Sequence, residues 1–340
     1  MKKRSITLND IAAEAGVSTA TVSMALNGKP GISDPMRAKI IHIATELGYP
    51  LQRSRERLSG VKTIYLIDHT FDSVEMAATS TIASRSVMFG IRQACEESGL
   101  RLEVVYGSTL PPVDLQDNIL GVIEIEGSLS DERAKKLNAL PCPVVLVGAG
   151  QGSPLLNTVS YDHEGILYEI VHRLCELGHR DIALICYGAS SPVFMERRVY
   201  WQSAMLRHGL DLSRMIAFPG NEHAEQDPNL ISNLTRWIEE DCADVTAFVG
   251  LPDYLAISTM QALRRCGRTP GDGIAFVGFD DTQYALITDP PLASVRLQDE
   301  ELGRQAVRRL LDLIDHPNQP ILHQRLPLEL IERESMCPPK

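Results

Sequence analysis

The sequence predicts an α/β protein with a small all-helical N-terminal head, a short hinge and a larger body of two parallel-sheet lobes. Three observations predict this. The first 48 residues hold three short amphipathic helical patterns separated by Gly and Pro. The body alternates short β-branched runs with helical stretches, and does so in two successive series. Charge is unevenly divided: residues 1–62 carry ten Lys and Arg against five Asp and Glu, while the whole 340-residue chain is at −11, leaving the rest at −16. A basic head on an acidic body suits a polyanion-binding module joined to a separate soluble domain.

Composition sets the outer limits. With 44% hydrophobic and 23% charged residues, the chain reads as soluble and globular. No apolar run reaches the roughly 18 residues of a membrane span. The basic start "MKKRSITLND" is not followed by the apolar stretch of a secretory signal, so a cytoplasmic location is expected. Seven cysteines, at 95, 142, 175, 186, 242, 266 and 337, show no CxxC or Cys/His spacing. They read as free thiols, and no metal or cofactor is expected.

The head (1–48) comes first in chain order. Thr7 can cap a helix whose apolar face is Leu8, Ile11, Ala12 and Ala15, with Asp10 at the capping-box position. Gly16 permits a tight turn, and Ser18 is a good N-cap for a second helix with Val22 and Leu26 inward. Ala12, Gly16 and Val22 have the A-x3-G-x5-V spacing of a helix-turn-helix: a small residue where helices cross, glycine in the turn, valine in the gap. A third helix begins at Ser33 and runs through Ile40, Ile43 and Leu47 to Gly48. The open face of the second helix is Thr19, Ala20, Ser23 and Met24, with Asn27 at its end. Side chains this small let a helix sit deep in a DNA major groove, where base edges can be read.

The hinge (49–62), "YPLQRSRERLSGVK", is basic, with Pro50 and Gly60 bounding a short helical stretch. In the body (63–340) the strand candidates are "TIYLI", "LRLEVVYG", "GVIEI" and "PVVLVG", then "DIALICYG", "AFVG" and "GIAFVGFDD". Two parallel-sheet lobes place a ligand between them, at the carboxyl ends of the strands. Enzyme motifs are missing: "GAGQG" is not GxGxxG, and neither a Walker loop nor HExxH occurs. The chain is not expected to be an enzyme.

"TLNDIAAEAGVSTATVSMALNG" followed by "ISDPMRAKIIHIATELGYP" resembles the DNA-binding head of the LacI/GalR repressor family. The likeness continues more loosely to the end of the chain. It implies base reading by Thr19, Ala20 and Met24, where relatives often carry Arg in place of Met24. It gives a DNA-binding set of Thr7, Ser18, Thr19, Ala20, Thr21, Ser23, Met24, Asn27, Arg53, Arg57 and Leu58. Leu58 matches a hinge leucine that wedges into the minor groove, and Arg53, Arg55 and Arg57 would add phosphate contacts. The implied body is a periplasmic-binding-protein-like pair of lobes, about 63–161 plus 294–320 and about 162–291 plus 321–340. The chain would cross between them near Tyr161–His163, Pro291–Ser294 and Pro320. "MERRVYWQSAM" and "VGFDDTQYALITDPPLASVR" match family motifs that place Arg197 and Asp280 in the cleft, and "LPDYLAIS" adds Asp253. Pro252 and Tyr200 depart from the usual Asn and Gly, and the loop over 68–86 is longer than the family norm.

The resemblance implies a ligand-responsive DNA-binding transcriptional regulator: a repressor that binds a near-palindromic operator as a homodimer, under control of a small polar, sugar-like effector. The alternative is a cytoplasmic small-molecule-binding protein without operator function. The C-terminal "LIERESMCPPK" lacks the heptad helix by which some relatives tetramerise.

Overall fold

The computed structural model describes residues 8–19, 21–22, 36, 39–40 and 43, then 62–68, 82–107, 110, 119–125, 130–148, 154–187, 192–213, 215–218 and 227–340. The chain divides into two units, Met1–Val61 and Lys62–Lys340.

In the first unit, helix α1 spans Leu8–Ala15. Ile11, Ala12 and Ala15 on its inner face join Val22, Ile40 and Ile43 in one small buried core, with Leu8, Val17 and Met36 packed at its edge. Gly16 makes the turn at φ +70°, a conformation open to glycine at little cost. Beyond it the Thr21 N–H donates to Ser18 Oγ at 3.1 Å and the Val22 N–H to the Ser18 carbonyl at 3.0 Å. Ser18 thus caps the second helix.

The second unit contains two six-stranded sheets. The first collects β1 (Thr63–Asp68), β2 (Arg101–Tyr106), β3 (Ile119–Ile125), β4 (Val144–Val147), β5 (Asn157–Tyr161) and β11 (His323–Leu326), in the order β11-β5-β4-β3-β1-β2. The second collects β6 (Ile182–Tyr187), β7 (Met215–Phe218), β8 (Ala247–Leu251), β9 (Ala275–Phe279), β10 (Ala293–Arg296) and β12 (Glu329–Ile331), in the order β12-β10-β9-β8-β6-β7. Every pairing is parallel except that of β12 with β10. The central strands are continuous apolar runs, as parallel strands covered on both faces must be. Strand β8 (AFVGL) and strand β9 (AFVGF) are buried at every position.

Helices cover the sheets. They are α2 (Ile82–Glu97), α3 (Asp131–Asn138), α4 (His163–Glu176), α5 (Pro192–Arg207), α6 (Leu230–Asp241), α7 (Asp253–Arg265) and α8 (Asp299–Asp315). Helices α2 and α8 share the core of the first sheet, where Val87 and Ile91 meet Leu302, Ala306 and Leu310. Gly90 and Gly303 make this crossing possible: a Cβ at Gly90 would collide with the Glu300 carbonyl, and one at Gly303 with that of Val87. The close crossing sets the start of α8 beside α2. Among the described residues no helix is long and apolar enough to cross a membrane.

The chain passes between the sheets three times, and two passages differ from the sequence expectation. The first follows Tyr161, at the end of β5. The second lies after Arg296, not near Pro291–Ser294, because Ala293–Val295 pair with Val277–Phe279 and keep β10 in the second sheet. The third lies between Leu326 and Glu329, not near Pro320, because His323–Leu326 still pair with Thr158–Tyr161.

Candidate functional site

In the head, Ser18 and Thr19 are exposed and Thr21 is half-buried. The Ser18 and Thr21 hydroxyls lie 2.8 Å apart. Part of Ser18's polar capacity is therefore used in capping its own helix. Thr7, Ala20, Ser23, Met24, Asn27, Arg53, Arg57 and Leu58 lie outside the described residues.

The body's candidate site is built at the carboxyl end of β9. Phe279 is buried in the core, and the next two residues, Asp280 and Asp281, take positive φ values of 105° and 45°. Two consecutive non-glycine residues in that region store on the order of 1–3 kcal/mol each, and the surroundings must hold them there. They do. Asp280 N–H donates to the Val295 carbonyl at 2.9 Å, and Asp281 N–H donates to Ser294 Oγ at 3.0 Å. The Asp281 carboxylate receives Arg296 Nε at 2.8 Å and, on its other oxygen, Arg333 from the C-terminal segment. The chain then turns under Asp253, whose Oδ2 accepts Thr282 N–H at 2.7 Å and Thr282 Oγ–H at 2.9 Å. The other Asp253 oxygen takes Ser294 Oγ–H at 2.5 Å. The strained pair is clamped on both sides and stands partly exposed at the strand end.

This geometry corrects one expected role. Asp253 is 1% exposed with both oxygens bonded to protein groups, and a Cβ at neighbouring Gly278 would collide with it. It cannot present its carboxylate to a ligand; it holds the loop that carries Asp280. Burial raises its pKa above the ordinary carboxylate value, opposed by the bonds from Ser294 and Thr282.

Arg197 stands on α5 and is nearly buried, its guanidinium 4.1 Å from the centre of the Phe279 ring and 5.5 Å from that of Phe194. A cation over aromatic faces in a desolvated setting is fixed in place. Arg197 and Asp280 both act electrostatically on Tyr161, at the end of β5 in the first sheet. The Tyr161 hydroxyl donates to Asp299 Oδ1 at 2.5 Å. Burial raises the Asp299 pKa, while the Tyr161 bond and the Arg197 charge oppose the rise. Beside them, on α4, lies buried His163, its Nδ1 3.3 Å from Glu196 Oε2 and its ring flanked by those of Tyr161 and Phe279.

The site thus gathers groups from both sheets. Arg197, Asp280, His163 and Glu196 come from the second, Tyr161 and Asp299 from the first. Asp299 also lines a cavity of about 420 Å³ with Ser86, Leu297, Gln298, Glu300, Glu301 and Arg304, within the size range of small-molecule sites. Sequence reading missed Tyr161, His163, Glu196 and Asp299 as site residues. Three of them lie close to positions the sequence does single out: Tyr161 and His163 bound the first expected crossing, and Glu196 adjoins Arg197.

Comparison with known proteins bears on the head and on the body. Residues 7–50 match the model of the lacI family of bacterial regulatory proteins, and residues 171–336 match a periplasmic binding protein-like domain. The HTH-type transcriptional regulator MalR of Streptomyces coelicolor is 30% identical over 328 residues, covering 90% of each chain. The lactose operon repressor of Escherichia coli is 28% identical, covering 98% of this chain and 91% of its own. Among solved structures, a lac repressor dimer bound to operator and the anti-inducer ONPF superposes with a TM-score of 0.68 at 24% identity, covering 98% of this chain and all of that one. A complex of the regulator CelR with cellobiose gives 0.66 at 24% identity, covering 97% of this chain and 99% of that one. With a matching head and body and a relative this similar over nine-tenths of its length, the chain belongs to the lacI family of bacterial regulatory proteins and is a DNA-binding transcriptional regulator.

Proposed function

We propose that this regulator is a cytoplasmic repressor that binds a near-palindromic operator as a homodimer, and that a small sugar-like effector held between the two sheets controls its DNA affinity. The observation that carries the reading is the clamped, strained Asp280 beside an Arg197 fixed on Phe279. Strain maintained by this many bonds is what a binding site retains and a plain turn does not need. A carboxylate and a guanidinium in fixed positions supply acceptors and donors to a hydroxyl-rich ligand. Similar proteins point the same way: one is described with cellobiose, another as a lac repressor dimer on its operator.

The domain roles follow from the sequence reading. Residues 1–48 are the DNA-binding head and 49–62 the hinge. Thr19, Ala20 and Met24 meet base edges, while Thr7, Ser18, Thr21, Ser23 and Asn27 support and flank that contact. Leu58 wedges into the minor groove between the phosphate contacts of Arg53 and Arg57. Effector binding at Arg197 and Asp280 favours one arrangement of the two sheets, and DNA affinity shifts by the effector's differential affinity for the two states.

An apolar patch supports the homodimer. Tyr284, Leu286 and Ile287 are 56%, 60% and 78% exposed, and Tyr254 is partly exposed on α7. Tyr284 and Ile287 also border a cavity of about 290 Å³ with Ile257 and Met260. A second copy meeting this patch across a two-fold axis would bury it and would match a palindromic site. A thermal-shift screen of neutral sugars, nucleosides and amino acids tests the effector class. Stabilisation by a neutral sugar supports the reading, and stabilisation by a nucleoside or amino acid alone overturns it.

A further inference from the structure

His163 is the one buried imidazole at this site, and its two nitrogens have different surroundings. Nδ1 faces Glu196 Oε2 at 3.3 Å. Nε2 is buried and has no hydrogen-bond partner among the described residues. The ring is 4% exposed, between Tyr161 and Phe279, with ring centres 6.2 and 6.1 Å away.

Glu196 decides which nitrogen carries the proton. Tyr200 stands one helical turn further along α5, and burial, then the nearby Glu196 carboxylate, push its hydroxyl pKa up. Arg325, on β11 of the first sheet, donates in turn to the Tyr200 hydroxyl at 3.2 Å and lies 3.8 Å from Glu164. Arg325 thus reaches the Glu196 side of the site through the Tyr200 hydroxyl. A carboxylate oxygen accepts, so a neutral His163 turned toward Glu196 carries its hydrogen on Nδ1 and keeps the lone pair on Nε2. Burial and the nearby Arg197 charge push the imidazole down to about 4, against the pull of Glu196 and Asp162. The ring is neutral at physiological pH, and Nε2 is an acceptor.

A buried acceptor left unpaired costs free energy that a well-placed donor recovers. Arg197 nearby presents only donors. One common ligand group answers both demands at once: a hydroxyl accepts from a guanidinium and donates to a bare imidazole nitrogen. A phosphate or carboxylate oxygen would suit Arg197 but would set a second lone pair against Nε2. We propose that His163 Nε2 accepts a hydrogen bond from a hydroxyl of the effector, and that this acceptor beside Arg197 selects neutral polyhydroxyl ligands over their phosphorylated or carboxylated counterparts. The proposal rests on reading this cleft as the effector site, and it adds a specificity-determining residue that neither Arg197 nor Asp280 can replace.

The test uses the full chain carrying ¹⁵N-labelled histidine, with ribose, glucose, cellobiose, lactose and glucose 6-phosphate as probes. Two-bond ¹⁵N–¹H spectra read the protonation of each ring nitrogen, and calorimetry reads affinity. The expected result is a bare Nε2 in the free protein that moves toward the hydrogen-bonded range when a neutral sugar binds. His163→Phe should weaken that sugar at least tenfold, while His163→Gln, which keeps an acceptor at the Nε2 position, should stay within about threefold. The preference for sugar over sugar phosphate should narrow in His163→Phe. The wild-type spectrum decides the matter even if His163→Phe fails to fold. A sugar that binds without moving Nε2, and equally well to His163→Phe, overturns the proposal and leaves the sugar-effector reading standing. Binding of glucose 6-phosphate alone, or of none of the probes, overturns both.

Discussion

The carboxylate of Asp253 and the backbone N–H of Thr282, 29 residues apart in sequence, meet at 2.7 Å. This contact, with the bonds from the Thr282 and Ser294 hydroxyls, joins the start of α7 to the loop that carries Asp280. Asp253→Asn keeps the shape but replaces one acceptor oxygen with a donor. Either Thr282 or Ser294 is then left with a buried, unanswered donor, at a cost of about 1–3 kcal/mol. Chemical denaturation should show that loss, and effector affinity should fall with it. Unchanged stability would mean that the loop is held by Arg296 and Arg333 alone.

Arg197→Ala and Asp280→Asn address the ligand more directly. Removal of either group should weaken the effector by about 2–4 kcal/mol, or roughly 30- to 1,000-fold. Operator affinity without effector should remain near that of the parent protein. Calorimetric titration separates this outcome from a purely structural role, in which both variants melt earlier but retain their ligand response.

His163 gives the body a defined pH dependence. Its folded pKa of about 4 lies below the ordinary 6.5, so the native state resists a proton that the unfolded chain accepts. The resulting stability is complete above pH 6.5 and is lost as pH falls from 6.5 through 4. The loss is on the order of 3 kcal/mol. The groups facing the ring are Glu196, Asp162 and Arg197. Melting curves across that window should be visibly flatter for His163→Gln than for the parent protein, and identical slopes would remove His163 as the source.

On the DNA side, Leu58→Ala should weaken specific operator binding by roughly 1–3 kcal/mol through loss of a buried apolar wedge. Binding to non-specific duplex should hardly change. Met24→Arg should alter the preferred base at one symmetric position of each half-site, because arginine can form the bidentate guanine contact that methionine cannot. A selection from randomised duplexes reads both effects. Equal losses on every sequence for Leu58→Ala, or an unaltered preference for Met24→Arg, would take those residues out of the interface.

Much of the fold was legible because it rests on periodicity. Runs such as AFVGL and AFVGF announce doubly covered strands, and Ala12, Gly16 and Val22 announce a tight helix crossing. The crossings after Arg296 and Leu326 were less legible, since pairing with β9 and β5 depends on partners far away in sequence. Site residues divide in the same way. Arg197 and Asp280 carry recognisable motifs, but no local pattern says that Asp253 turns toward its own loop and away from the cleft. Tyr161 and Asp299, 138 residues apart, become neighbours only when β5 and α8 pack into one layer. His163 gains its character from Glu196, which lies on another element.

The central claim is that ligand occupancy of this cleft sets operator affinity. Fluorescence anisotropy of the full chain on a selected near-palindromic duplex and on a scrambled one, each titrated with the sugar found by thermal shift, measures that coupling directly. The account predicts preferential binding of the palindrome and a change of at least fivefold in its affinity at saturating sugar, with the change abolished by Arg197→Ala. Equal affinity for both duplexes, or an operator affinity that saturating ligand leaves untouched, would contradict it.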